Sequence, residues 1–389
     1  MPSGLRRNLT EPKCLNFRHL LEGEISPLGQ NDAFFRLCSS TGVLCGKHSI
    51  TWNLMEIIRR RAYARAGLIG NPSDGYNGKT IAVIVKNFWA EITLYEWDRL
   101  EIVPSPNDES VFRSIHELSK DVRLHGYYGG IRLVKAAIKG FADYCTQRGL
   151  RLHERNFSIR YETNIPRQVG LAGSSAIIVA AFRALMDFYG VVIPKNVLPS
   201  LVLSIEKDQL GITAGLQDRV AQVYEGCVFM DFAKNVMRTE DGFVCGVYEP
   251  LPTELLPPLY VAYSTEFGEP TEIFHNNLRY RFDSGESAVV EAMQTFADLT
   301  VQVKTALQRG EKDKIGPLMD ANFDLRRSIC QLPKEHILMI ETARGCGASA
   351  KFAGSGGAII GTCPDETIFE RLRTEMRKIG CCTVRPIVS

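Results

Sequence analysis

The pattern of apolar and polar positions sharpens from about residue 60 onward. Thr80–Lys86 (TIAVIVK) and Glu91–Tyr95 (EITLY) are rich in β-branched residues and predict strands. Tyr128–Tyr144 carries a helical period and opens on small residues, and Phe157–Glu162 (FSIRYE) alternates as a half-buried strand does. A Gly-rich turn follows. From Ser174 to Phe188 the chain is apolar on nearly every side, which predicts a helix at the centre of a domain. Further helices are predicted over Asn196–Gln209, with Pro199 confined to the first turn, and over Thr213–Tyr224. Gly226–Asp231 (GCVFMD) predicts the next strand.

Prolines at 250, 252, 257 and 258 interrupt the pattern and mark a boundary between two lobes. Beyond them come a strand at Leu259–Tyr263, helices over Ser287–Arg309, Lys312–Ser328 and Lys334–Arg344, and the turn KFAGSGGA leading into a strand at Ala358–Gly361. A helix over Glu366–Ile379 and a last strand close the chain. Strands and helices mix without a regular βαβα alternation, so the expected class is α+β with two lobes, 56–250 and 255–389. Residues 1–55 show little periodicity and are set apart as an N-terminal extension of unassigned role.

Composition narrows the function. The 389 residues are 45% hydrophobic and 23% charged, the balance of a globular protein large enough to bury a core without disulfides. A net charge of +2 provides no electrostatic footprint for nucleic acid, and no apolar run approaches the ~18 residues of a membrane span. The eleven cysteines include no CxxC pair and no Cys/His spacing suited to zinc. They read as reduced thiols of a cytoplasmic protein.

The most informative stretch is PRQVGLAGSSA, Pro166–Ala176. A strand, a Gly-rich turn and a helix N-terminus in that order aim backbone N–H groups and the positive end of a helix dipole at one point. Gly170 and Gly173 permit close approach, and Ser174 and Ser175 offer hydroxyls to a phosphate or to magnesium. Read alone, the same residues could shape a turn and cap a buried helix. The pattern is neither GxGxxG nor a P-loop ending in GK[ST]. Two other stretches supply context: RAGLIGNPSD at Arg65–Asp74 and KFAGSGG at Lys351–Gly357.

In this order the three stretches resemble the motifs of the GHMP superfamily, named for galactokinase, homoserine kinase, mevalonate kinase and phosphomevalonate kinase. Ala172 stands for a Gly of the second motif, Ala353 for a Thr of the third, and Asn71-Pro72-Ser73-Asp74 for the Glu-His-Thr-Asp of galactokinases. GYYGGIRL, GLQDRVAQVYEG and NFDLRR extend the likeness to the plant-type glucuronokinases, over roughly four-fifths of the chain. The resemblance implies a ribosomal-S5-like first lobe, a C-terminal α+β lobe, and an ATP- and Mg2+-dependent kinase that phosphorylates the anomeric hydroxyl of a small sugar acid, D-glucuronate, for UDP-glucuronate synthesis. Another sugar on the same scaffold, or an inactive sugar- or ATP-binding regulator, are the rival readings.

The resemblance also distributes roles. Pro166, Arg167, Gln168, Val169, Gly170, Leu171, Ala172, Gly173, Ser174, Ser175 and Ala176 would wrap the triphosphate, and Gly354, Ser355, Gly356 and Gly357 would form the far wall of the site. Asp218 would take the proton from the substrate hydroxyl, although an acid in the first helical turn also simply complements the dipole. Glu206, twelve residues earlier, would hold magnesium with Ser174 or Ser175; a surface pairing with Lys207 or Lys195 is the alternative. Arg65 would act on Asp218 or on the phosphoryl group, with an ordinary surface arginine as the alternative. A substrate carboxylate calls for an arginine fork, with Arg219 the best placed and Arg167, Arg326 and Arg327 as other candidates. Asn71, Asp74, Tyr127 and Tyr128 could meet sugar hydroxyls, and Phe88 and Trp89 could stack on adenine or pack the core.

Overall fold

The computed structural model describes residues 56–105, 108, 129–212, 214–265 and 278–389; residues 54–389 form one compact unit. The extension 1–55 and the candidates Tyr127 and Tyr128 lie outside the described residues.

A long strand organises the first sheet. Strand β2 (Lys79–Trp97) pairs antiparallel along its length with β1 (Ile57–Ile69). Its Ala90–Trp97 segment also pairs with β4 (Asn156–Thr163), and its Lys79–Val83 segment with β5 (Cys227–Asp231). A short strand β3 (Glu101–Val103) runs parallel to β4, and further short strands β6 (Arg238–Glu240) and β7 (Phe243–Cys245) form a hairpin. Strand β8 (Val247–Leu251) closes the sheet beside β5. Pro250 sits in β8, where an edge strand tolerates a residue with no N–H. The two strands expected at 80–86 and 91–95 are therefore one. The interval between them, Asn87–Ala90, overlaps a jump in the β1–β2 register, where Tyr63 pairs with Trp89 and Ala64 with Val85.

Helices pack on this sheet. They are α1 (Gly130–Gln147), α2 (Gly173–Tyr189), α3 (Leu198–Ser204) and α4 (Gln217–Tyr224). The run Ala176–Phe182 of α2 is almost wholly excluded from water, as its all-round apolar sequence requires. Helix α3 does not continue regularly to Gln209: its last turn, Ile205–Gln209, opens to π geometry.

The second sheet has the order β10 (Lys351–Phe352), β11 (Ala358–Thr362), β9 (Leu259–Ser264) and β12 (Cys381–Val384), all antiparallel. Around it lie α5 (Ser287–Gln308), α6 (Ile315–Ile329), α7 (Lys334–Gly345) and α8 (Glu366–Lys378). One hydrophobic cluster joins the two sheets: Leu299 and Val303 of α5, Ile315 and Met319 of α6, and Ile360 of β11 share it with Leu68 and Ile69 of β1. That shared core brings β1, α2, α4, α6 and the β10–β11 turn together. Among the described residues no helix is long and apolar enough to cross a membrane.

Candidate active site

Three backbone turns meet here: the loop before α2, the turn between β10 and β11, and the short 3-10 turn Ser73–Tyr76 after β1. Their contacts are too close for side chains. A Cβ on Gly354 would stand 2.2 Å from the Gly170 carbonyl oxygen, and one on Gly170 would stand 2.9 Å from that of Gly356. Gly170 also has φ of +72°, and Gln168 and Ala172 are left-handed as well (φ +57° and +61°). Ala172 adopts, with a Cβ, the backbone region where the related motif has Gly, at a cost of about 1–2 kcal/mol.

Arg65 ties the centre together from β1. Its Nε and Nη2 each lie 2.7 Å from Asp218 Oδ1. Its Nη1 donates to the carbonyls of Gly170 (2.7 Å) and Ala353 (2.9 Å). The guanidinium, which is almost fully buried, is thereby committed to orienting the carboxylate and bracing both glycine turns. Asp218, in the first turn of α4, remains one-fifth exposed, and its Oδ2 lies 3.2 Å from Arg219 Nη1.

Glu206 sits in the π turn with no exposed surface. Ser174 Oγ donates to its Oε1 at 2.9 Å, and Arg219 pairs with its Oε2. Burial pushes the Glu206 carboxyl upward, opposed by Arg219 and by the Ser174 hydroxyl. Burial opposes the charge of Arg219 as well, but the carboxylates of Glu206, Asp218 and Asp74 outweigh it and hold its pKa above the ordinary value. The two serines differ: Ser175 is buried and donates to the Ala172 carbonyl at 3.2 Å, so only Ser174 faces Glu206. Two hard oxygens meeting at a phosphate-type loop fit magnesium, whose remaining positions suit water and phosphate oxygens.

Asp74 lies near Asp218 and accepts from the Gln217 backbone N–H at 3.4 Å. Burial, reinforced by the neighbouring Asp218 charge, raises its pKa to about 6 against the pull of Gln217, Arg65 and Arg219. Asn71 is buried and engaged, with Oδ1 accepting from Lys351 Nζ at 2.6 Å and Nδ2 reaching the Phe352 carbonyl at 3.4 Å.

The arginines proposed for a substrate carboxylate separate by environment. Arg219, expected beside the base, is buried on Glu206, Asp218 and the Gly215 carbonyl. Arg326 is buried on the carbonyls of Gly354 and Ser355, at 2.8 Å each. Arg327 is half exposed and pairs with Glu341 at 3.2 Å, while Arg167 lies exposed in the phosphate-type loop. Arg279, not singled out from sequence, donates to the Gly75 carbonyl beside Asp74 and lies 4.3 Å from the centre of the Tyr76 ring. Phe88 packs in the core against Tyr263, and the Trp89 ring carries the Arg61 guanidinium at 4.5 Å.

Two contributors carried little signal in the sequence. Lys351, the first residue of KFAGSGG, is fully buried, and its Nζ donates to Gly67 O (2.6 Å), Asn71 Oδ1 (2.6 Å) and Phe352 O (2.7 Å). Burial, with Arg326 and Arg65 nearby, pushes its pKa well down; yet three oxygen acceptors match the three N–H bonds of an ammonium. Gln222, one turn after Asp218, donates to the Ala172 carbonyl at 2.8 Å and so supports the left-handed residue.

Residues 132–226 match the GHMP kinases N terminal domain. Glucuronokinase 1 of Arabidopsis thaliana is 43% identical over 338 residues, spanning 85% of this chain and 91% of its own length. The probable glucuronokinase 2 of the same plant is 44% identical over 333 residues, 83% of this chain and 89% of its own. Lactococcus lactis galactokinase, solved with galactose, shares the fold with a TM-score of 0.67 at 16% identity, over 86% of this chain and 94% of its own. The turn-to-turn assembly around Asp218 therefore stands within a family that its sequence relatives also define: the chain belongs to the GHMP kinases, and it is an ATP-dependent kinase.

Proposed function

We propose that the protein transfers the γ-phosphoryl group of ATP to the anomeric hydroxyl of D-glucuronate, giving glucuronate 1-phosphate and ADP. The supporting observation is the placement of one partly exposed carboxylate, Asp218, in the grip of Arg65 and Arg219 beside the loop that leads into α2. The sugar is taken from the names of the two Arabidopsis thaliana relatives.

In this reading Asp218 accepts the hydroxyl proton as the sugar oxygen bonds to the γ-phosphorus and the bond to the β–γ bridging oxygen breaks. Arg65 keeps Oδ1 fixed, and Oδ2, beside Arg219 Nη1 at 3.2 Å, takes the proton. The loop at 166–176 and the N-terminus of α2 hold the phosphates through backbone N–H groups. Glu206 Oε1 and Ser174 Oγ would hold magnesium, which neutralises phosphate charge as the bond breaks. Asp74, whose charge acts on Asp218, would receive a sugar hydroxyl.

The test is a coupled ADP-release assay with magnesium ATP and glucuronate, galacturonate, glucose or galactose. Turnover should be confined to glucuronate, and Asp218→Asn should reduce it by about 10²–10⁴-fold, the worth of a general base. Turnover of a neutral sugar instead would overturn the substrate, and an active Asp218→Asn would overturn the base.

A further inference from the structure

The turn between β10 and β11 has an unusual underside. Four successive carbonyls are each held by a buried cation. Lys351 Nζ donates to Phe352 O at 2.7 Å, Arg65 Nη1 to Ala353 O at 2.9 Å, and the two ends of the Arg326 fork to Gly354 O and Ser355 O at 2.8 Å. The three cations come from β10, β1 and α6, and each is at most 5% exposed. Asn322, one helical turn before Arg326 on the same face of α6, accepts from Gly70 N–H at 2.7 Å and so anchors the turn that carries Asn71 and Asp74. Burying cations against neutral carbonyls is costly, since a carbonyl dipole replaces hydration less well than a carboxylate does. Burial indeed pulls the Arg326 guanidinium down to about 10.

Peptide planarity says what this arrangement accomplishes. In a trans peptide the C=O of one residue and the N–H of the next point in opposite directions. With the carbonyls of Ala353, Gly354 and Ser355 drawn to the cations, the N–H groups of Gly354, Ser355 and Gly356 are turned the other way. The loop before α2 lies against this turn: a Cβ on Gly170 would stand 3.0 Å from Ser355 N and 2.9 Å from Gly356 O. We infer that Arg326 is a positioning residue for phosphoryl transfer, whose fork presets the peptides of 354–356 as a second set of anion donors facing the phosphates held at 166–176. Lys351 and Arg65 extend the same grip to the neighbouring carbonyls. The inference rests on the reading of 166–176 as the triphosphate loop, and it does not depend on which sugar is the acceptor.

A brace that merely stabilises the turn would affect every ligand alike, whereas preset anion donors act only on phosphates. Full-length wild type, Arg326→Met and Arg326→Lys are titrated with adenosine, AMP, ADP and magnesium ATP, alongside their melting temperatures. Adenosine affinity should stay at the wild-type level in both variants. ATP affinity should fall about tenfold for each donor misaligned, the order of one hydrogen bond to a charged group. In Arg326→Met, kcat should fall by about 10²-fold, as when an oxyanion donor is removed. Lysine keeps the charge but cannot span both carbonyls, so its losses should be intermediate; it carries the comparison should the methionine variant be too unstable to titrate. Equal losses for adenosine and ATP, or no loss for either, would overturn the inference. If wild type shows the phosphate-dependent affinities but leaves glucuronate untouched, the substrate proposal fails and this one stands. If wild type binds adenosine and ATP alike, the triphosphate loop itself is misplaced.

Discussion

Asp74 illustrates how a single carboxyl can be held in an uncomfortable state at a working site. Its pKa is about 6 in the fold against an ordinary 3.8, so the folded protein favours its protonated form. Below pH ~4 the group is protonated in both folded and unfolded chains and costs nothing. Between about pH 4 and 6 the unfolded chain ionises first, and stability falls as pH rises; the penalty is complete above pH ~6. Asparagine has the same shape and no such penalty. Asp74→Asn should therefore raise the melting temperature at about pH 7.5 more than at pH ~4, while lowering turnover by weakening the hold on the sugar. Scanning calorimetry at the two pH values decides it: equal shifts at both would show that burial does not strain this carboxyl. A variant gaining stability while losing activity is the expected signature of a residue kept for function.

Along an element, the same logic separates two neighbouring serines. Successive residues on a helix point about 100° apart, so α2 cannot present Ser174 and Ser175 to the same partner. Ser174 meets Glu206, and Ser175 turns back to the Ala172 carbonyl. Ser174→Ala should raise the magnesium concentration needed for half-maximal activity several-fold with little change in melting temperature. Ser175→Ala should do the reverse, lowering stability by about 1 kcal/mol through a lost buried hydrogen bond; a magnesium titration of both variants would expose a wrong assignment. The partner of Ser174 depends on an irregularity in another element. The π turn at Ile205–Gln209 buries Glu206 while Lys207, Asp208 and Gln209 stay exposed. Such bulges recur where a helix must aim one side chain at a site.

At the scale of the molecule, the proposed division at 250–255 falls between two sheets; the second half has a hydrophobic cluster of its own, and another cluster spans the division. Leu299 and Val303 of α5 and Ile360 of β11 lie in the cluster that contains Leu68 and Ile69 of β1. Arg65, Lys351 and Asn322 then fasten the turns of the two halves across the site. Fragments cut at the proline cluster, 54–255 and 256–389, should each aggregate or lack a cooperative thermal transition when expressed alone, because each exposes half of a shared apolar face. An isolated 54–255 fragment that melts cooperatively would show that the first half carries an independent core.

Local chemistry was enough to locate most elements. The β-branched runs of β2, the alternation of β4 and the all-round apolar α2 follow from which residues a pleat or a buried helix accepts. The turn at 166–176 was legible for a related reason: Gly170 and the Gly-Ser-Ser helix start are backbone requirements, and these act within a few residues. Strand β1 carries no readable alternation, because Arg59, Arg60 and Arg61 crowd its open end while Ala64–Ile69 is buried on both faces. The partners of charged side chains were beyond reach of any local pattern. Arg65 and Asp218 are 153 residues apart, and Lys351 bonds the carbonyl of Gly67 from 284 residues away. Arg219 and Arg326 have the composition of carboxylate binders, but burial placed them against Glu206 and against two carbonyls respectively. A side chain's type limits what it can bind, whereas its partner is whichever group the packed chain brings within reach once water is excluded. Here that was decided by how β1, α4, α6 and the β10–β11 turn converge.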